Sequence, residues 1–128
     1  MRAIAAALVL VMAAGGAALG HHSFAVFYEA TETISVTGVV TEFRFSNPHG
    51  SITIEAQNDA GEIEEWKAET TAPVILRRRG WDRDSITVGE TITMVGWPAK
   101  DGANLIRLRS VTRADGSAVG GEFSYEDD

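Results

Sequence analysis

A single small β-barrel with one short helix is the fold class this sequence predicts, and three observations predict it. Five segments of the 128-residue chain are dense in β-branched and aromatic residues. Turn-forming Gly, Asn, Asp and Pro residues separate them. Between the third and fourth segments lies one stretch with helix-start and helix-stop signals instead.

Before the first strand comes an export signal. Met1-Arg2 is followed by an apolar run from Ala3 to Ala14 and the small-residue stretch Gly15-Gly16-Ala17-Ala18-Leu19-Gly20. A secretory signal peptide has a basic start, an apolar core of about 7–15 residues and small residues at −3 and −1 of the cut. Ala18 and Gly20 meet that pattern for cleavage before His21, and Gly16 and Ala18 meet it for cleavage after Ala18. An uncleaved anchor wants about 20 apolar residues, more than this run supplies. The expectation is that residues 1–20 are removed, that the mature protein is periplasmic or secreted, and that it keeps no membrane span.

The chain has no cysteine. That excludes a lipid-modified Cys at the cut, a disulfide framework and a thiolate metal site. The 108 residues from His21 onward suffice for one domain with a modest core. Without Arg2 they carry 10 basic and 18 acidic residues, a net charge of −8. Such a surface repels nucleic acid and anionic membrane.

Ile34 to Phe45 reads as the first strand, with Gly38 marking a bulge or sharp bend and Asn47-Pro48 ending it. Ser51 to Ala56 alternates cleanly and forms the second. Asn58-Asp59-Ala60-Gly61 turns into the third, Ile63 to Glu69, with Trp66 in its middle. Thr70 or Thr71 can cap a helix from about Ala72 to Arg79, with Pro73 in its first turn. Arg77, Arg78 and Arg79 fill the last turn, where positive charge opposes the helix dipole, and Gly80 stops it. Val88-Gly89-Glu90 turns into a fourth strand, Thr91 to Trp97, ended by Pro98. Lys100-Asp101-Gly102 is a hairpin turn. Asn104 to Thr112 is the fifth strand, with Leu105, Leu108 and Val111 as core positions. Ala114-Asp115-Gly116 turns out of it, and residues 117–128, Gly-rich and acidic, read as a flexible tail. Three strands, a helix and two strands are the order of the OB-fold, a five-stranded partly open Greek-key barrel, which residues 21–116 would form. A small sandwich fits the strand count almost as well, but the single helix favours the barrel.

Several motifs resemble a known family. They are His21-His22-Ser23-Phe24-Ala25, Phe45-Ser46-Asn47-Pro48-His49, Gly80-Trp81, Val88-Gly89-Glu90 and Trp97-Pro98-Ala99-Lys100-Asp101-Gly102. Together they are similar to a family of small exported bacterial proteins defined as a domain of unknown function. The resemblance covers nearly the whole mature chain and implies export and a small β-domain, and it brings no established reaction or ligand. The family usually has Asp shortly after the opening motif, where this chain has Glu29.

The three histidines lie in two places, His21-His22 at the new terminus and His49 after Asn47-Pro48. Imidazole is a frequent ligand of borderline metals, and Cu(II) favours nitrogen in a square-planar arrangement. A terminal histidine offers its ring and its own amine, which deprotonates far more easily than lysine. A second imidazole, with His49 as the natural candidate, would complete a T-shaped three-nitrogen site similar to the histidine brace of exported copper enzymes and copper-binding proteins. Cleavage before Leu19 or Gly20 would instead put a histidine third from the terminus, where amine, two backbone nitrogens and imidazole bind Cu(II). Zinc held by His21, His22, His49 and a carboxylate such as Glu29 is the other metal reading. Adjacent histidines on a strand point to opposite faces, which counts against it. The plain alternative is a His22 ring packed on the barrel and a His49 that bonds the backbone of its turn.

OB barrels bind ligands on one face and in the loops. Trp66, Trp81 and Trp97 with Phe43 and Phe45 could line such a face, although aromatics in a small cysteine-free domain belong mostly to the core. A peptide, glycan or small hydrophobic ligand would suit it. Catalysis has little support. Ser23 beside His22 is not a nucleophile–base geometry, the aspartates mostly sit in turns, and there is no phosphate-binding Gly loop. The sequence thus points to an exported OB-like barrel that binds or handles copper rather than to an enzyme. The alternative is an accessory domain that binds a non-metal ligand or a protein.

Overall fold

The computed structural model describes residues 23–127. Residues 1–20, read above as a signal peptide, and His21 and His22 lie outside the described residues. The elements are α1 (Ser23–Phe27), β1 (Ile34–Arg44), β2 (Ser51–Gln57), β3 (Ile63–Glu69), α2 (Pro73–Arg78), β4 (Thr91–Pro98) and β5 (Leu105–Arg113). The strands close into a barrel in the order β1-β2-β3-β5-β4. Every pairing is antiparallel except that of β3 with β5, which runs parallel over Lys67–Glu69 and Leu105–Arg107. This order, with a helix between β3 and β4, is the OB-fold. Each strand lies within one residue of the bounds its composition predicts. The helix α1 carries no hydrophobic period long enough to announce it.

Alternation drives the closure. Ile52, Ile54 and Ala56 of β2, Ala68 of β3, Ile92 and Met94 of β4 and Leu108 of β5 point inward and are buried. Leu76 of α2 and Trp81 extend the same core. A Cβ on Gly38 would run into the Glu55 carbonyl, so β1 and β2 approach as they do only because glycine stands there. The register slip falls further on, between Val40 and Glu42, and the Thr41 hydroxyl donates to the Thr53 carbonyl at 3.3 Å.

Three expectations are corrected. Leu105 is only half-buried, at the strand entrance beside a cleft, and Ile106 takes the core position. Neither threonine caps α2: the N-cap is Ala72 with no side-chain bond, and the Thr70 hydroxyl donates to the Thr71 carbonyl at 3.0 Å. Gly80 does stop the helix, with φ of 82°.

The third correction is the tail. Residues 117–127 pack against the barrel. Val119 and Phe123 are each 4% exposed, and the Phe123 ring lies 5.9 Å from that of Trp81. The Val119 and Phe123 N–H groups donate to the Val111 and Arg109 carbonyls at 2.9 and 2.8 Å, so the segment follows β5. Arg79 donates to both Asp127 carboxylate oxygens at 3.0 and 2.8 Å. Two apolar anchors four residues apart outweigh the glycines and acidic charges that suggested disorder. Trp81, Trp97 and Phe45 are buried, and Trp66 and Phe43 partly so against the core. The aromatics therefore serve packing rather than an open binding face. Among the described residues no helix is long and apolar enough to cross a membrane.

Candidate functional site

The site is built where α1, the β1–β2 loop and the end of β3 meet. The loop passes through a cis Asn47–Pro48 peptide and His49 to Gly50. The Gly50 N–H donates to the Thr71 carbonyl at 3.3 Å, and the Thr70 N–H donates to the Gly50 carbonyl at 3.0 Å. A Cβ on Gly50 would lie 2.6 Å from the Arg44 carbonyl oxygen and 2.7 Å from the Thr70 hydroxyl. Only glycine allows this clamp, and the clamp holds His49 over the end of β3.

Glu69 ends β3, and its carboxylate bridges two side chains. The Tyr28 hydroxyl donates to Oε2 at 2.6 Å, and His49 Nδ1 lies 3.3 Å from Oε1. A carboxylate oxygen accepts, so Nδ1 carries the hydrogen of that contact and the lone pair of the neutral ring sits on Nε2. Burial first, then the bond to Glu69, pushes the Tyr28 phenol well above the ordinary tyrosine range.

Phe24 of α1 packs between these groups. Its ring lies 5.8 Å from the His49 ring and 6.2 Å from that of Tyr28. The Arg107 guanidinium stands 4.0 Å above its face. Arg107 is fully buried and donates to the Thr70 carbonyl at 2.7 Å and to the Asp127 carbonyl. Tyr125 of the C-terminal segment donates to the Tyr28 carbonyl at 3.0 Å. The first and last described segments thus meet beneath the site.

A cleft of about 420 Å³ opens beside it, lined by Phe24, Val26, Phe27, Tyr28, His49, Glu69, Ala99, Lys100, Asp101 and Leu105. Val26 and Phe27 on its wall are 64% and 63% exposed. Lys100 Nζ donates to the Ala25 carbonyl at 2.7 Å and ties α1 to the β4–β5 turn. A second, more polar cleft of about 410 Å³ also includes His49 and Glu69, with Arg44, Asn47 and Lys67 around them.

Of the residues singled out from the sequence, His49 lies in the site. Glu29 does not join it: the Thr31 hydroxyl donates to its carboxylate at 3.0 Å, and it makes no hydrogen bond or ion pair with His49. The carboxylate that meets His49 is that of Glu69. Among the described residues no group of three or more His, Cys, Asp or Glu side chains is arranged to hold a metal. Tyr28, Glu69 and Arg107 went unrecognised. One signal for Glu69 was available, because the Asn58–Gly61 turn sets a register that pairs Ser51 with Glu69, two residues from His49.

No curated protein matches the chain. Among solved structures, the mitochondrial single-stranded DNA-binding protein Rim1 of S. cerevisiae is similar at 10% identity and a TM-score of 0.48, over 70% of this chain and 95% of that one. A small single-stranded DNA-binding protein from Streptomyces coelicolor is similar at 14% identity and a TM-score of 0.38, over 64% of this chain and 90% of that one. The tRNAIle2 agmatidine synthetase TiaS is similar at 17% identity and a TM-score of 0.42, over 66% of this chain and 18% of that one. Residues 7–106 match the sequence model described as a family of unknown function, DUF6152, and the chain belongs to that family.

Proposed function

We propose that this protein is exported and binds a copper ion at the head of the barrel, through its mature N-terminus and His49. The observation that carries the proposal is the contact of Phe24 with the His49 ring, 5.8 Å between centroids. Phe24 stands two residues after His22, and two residues span at most about 7 Å. A terminal His21 or His22 is thereby within reach of His49 while α1 stays folded. The Glu69 carboxylate adds a second support. Metal-binding histidines typically donate their other ring N–H to a carboxylate, which fixes the tautomer and raises ligand basicity. In this reading the terminal amine, the terminal imidazole and His49 Nε2 supply three nitrogens, a set that suits Cu(II). Export follows from residues 1–20, and signal cleavage would create the amine. The reading is binding or handling of the ion rather than catalysis.

The test begins with the intact mass of the secreted protein, which is expected to start at His21. Cu(II) is then titrated into wild type, His49→Ala and Glu69→Gln. Glu69→Gln is expected to weaken binding about 10- to 100-fold, as loss of a carboxylate behind a ligating histidine does. Affinity unchanged in His49→Ala removes His49 from the ligand set and sinks the proposal.

A second reading is favoured by the cleft itself, whose walls carry the exposed Val26 and Phe27. It would seat a small hydrophobic ligand without metal. An apolar fluorescent probe that binds metal-free protein and is lost in Phe27→Asp would favour this reading over copper.

A further inference from the structure

Eight arginines lie among the described residues. Five of them reach an acceptor. Arg44 pairs with Glu42, Arg79 with Asp127, Arg109 with Glu122 and Arg113 with Glu90, and Arg107 donates to the Thr70 and Asp127 carbonyls. The other three, Arg77, Arg78 and Arg83, make no hydrogen bond or ion pair among the described residues. These three are neighbours, at the last turn of α2 and in the loop that follows. The Arg77 and Arg83 guanidinium carbons lie 5.2 and 5.9 Å from the centroid of one ring, that of Phe45.

The helix dipole does not account for this corner. The helix α2 has six residues, and Arg83 lies outside it yet converges on the same ring. Two like charges held against one aromatic ring repel each other. Among the described residues no acidic side chain pairs with either of them. Asp82, which precedes Arg83 in the chain, accepts instead from the Asp84 N–H at 2.8 Å and the Ser85 hydroxyl at 3.2 Å. Asp84, which follows Arg83, makes no ion pair among the described residues.

We infer that Arg77 and Arg83, both held over the Phe45 ring, form a binding site for a phosphate-type oxyanion. A guanidinium held over a ring by its charge keeps its N–H groups for other acceptors, and neither Arg77 nor Arg83 spends them on one among the described residues. Each guanidinium edge is a fork that matches two oxygens of a tetrahedral anion. Phe45 is buried, so the ring that organises the two forks is itself fixed. The chain as a whole carries a net charge of −7, which opposes a long polyanion far more than a small anion or a single headgroup. The site shares no residue with the His49 cluster, so its test is independent of copper.

The experiment titrates the folded protein with inorganic phosphate and follows the Arg Nε–H resonances by NMR, against sodium chloride at matched ionic strength. Saturable shifts of the Arg77 and Arg83 signals are expected. Affinity should fall about tenfold for each of Arg77→Gln and Arg83→Gln, the loss of one charge-assisted hydrogen bond. Arg109→Gln, a partnered arginine elsewhere, should bind as wild type does. Both arginines are exposed, so the variants keep the fold, and their thermal unfolding checks this. The source is separated by a second arm. Binding to phosphatidylglycerol vesicles, absent with phosphatidylcholine and competed by phosphate, would assign a lipid headgroup. Phosphate binding without vesicle binding would assign a free anion. Shifts no larger than those from chloride, or equal affinity in the double variant, overturn the inference. So does tighter binding of a single-stranded oligonucleotide than of phosphate.

Discussion

Replacing Phe123 with Ala tests whether the C-terminal segment is part of the cooperative fold. Phe123 is almost completely buried against Trp81, and its N–H is bonded to β5. Truncating a buried Phe to Ala costs about 3–5 kcal/mol, made up of lost transfer energy and the cavity left behind. The segment lies on the outside of β5 and can partly collapse into the space, which places the expected loss near the lower end, about 3 kcal/mol. A domain of this size has roughly 5–15 kcal/mol in total. The variant should therefore still fold, with Tm lowered by about 12–24 °C, since 1 kcal/mol shifts a domain of this length by about 4–8 °C. Urea unfolding followed by tryptophan fluorescence and by circular dichroism measures it, because Trp81 reports the contact directly. Glu126→Ala, exposed in the same segment, serves as control and should stay within about 0.5 kcal/mol of wild type. A loss below about 1 kcal/mol for Phe123→Ala would show that the segment rests on the barrel without supporting it, and would refute the reasoning.

Two further predictions concern Tyr28 and Gly38. The Tyr28 phenol is raised by burial and by Glu69, so it stays protonated in the fold where an unfolded tyrosine, ionising near pH 10, does not. Above about pH 10 the unfolded state binds fewer protons than the folded one, and stability falls by up to about 1.4 kcal/mol per pH unit. Tyr28→Phe should lose that alkaline slope, apart from the part due to Tyr125, whose phenol is raised by burial and by Glu29. Denaturant melts from pH 8 to 11 measure it, and an unchanged slope would count against the buried phenol. Gly38→Ala should lower stability by about 1–3 kcal/mol, because the new methyl meets the Glu55 carbonyl and a strand has to move. A neutral result in a thermal melt would mean that β1 and β2 do not need the close approach.

The barrel was legible because its signals are local. Alternation and β-branching give the strands, and Gly61, Gly89, Gly102 and Gly116, all at positive φ, give the turns. The helix was legible at its stop and not at its start. Thr70 and Thr71 look like caps, but their backbone is bound to Gly50, where it extends the pairing of β2 with β3, a contact distant in sequence that no local pattern contains. The tail was misread by averaging. Its composition suggests disorder, whereas its buried apolar anchors are two residues, Val119 and Phe123. His49 was found because histidine is rare in this chain. Glu69 was not, because among 18 acidic residues only its register distinguishes it. Arg107 is hidden for a similar reason: it occupies a strand position between Ile106 and Leu108, and its charge is met by carbonyl groups distant in sequence.

These two misreadings, of the tail and of Arg107, concern one piece of architecture. The Arg107 guanidinium bonds the Asp127 carbonyl at the C-terminal end and stacks on Phe24 at the N-terminal end. Tyr125 bonds the Tyr28 carbonyl in the same region, and its ring meets Trp97 edge-on at 5.3 Å. The helix α1 has five residues and cannot hold its own position, because helices this short are not stable alone. Its place beside His49 is therefore set by partners: the Arg107 cation, the Lys100 bond to Ala25 and the C-terminal segment. An OB barrel alone would present His49 and Glu69 on a loop and a strand end. It takes the C-terminal segment, wrapped along β5, to bring Phe24 and Tyr28 against them. The geometry of the candidate site and the stability of the tail are consequently one property, and a perturbation at Phe123 should reach His49.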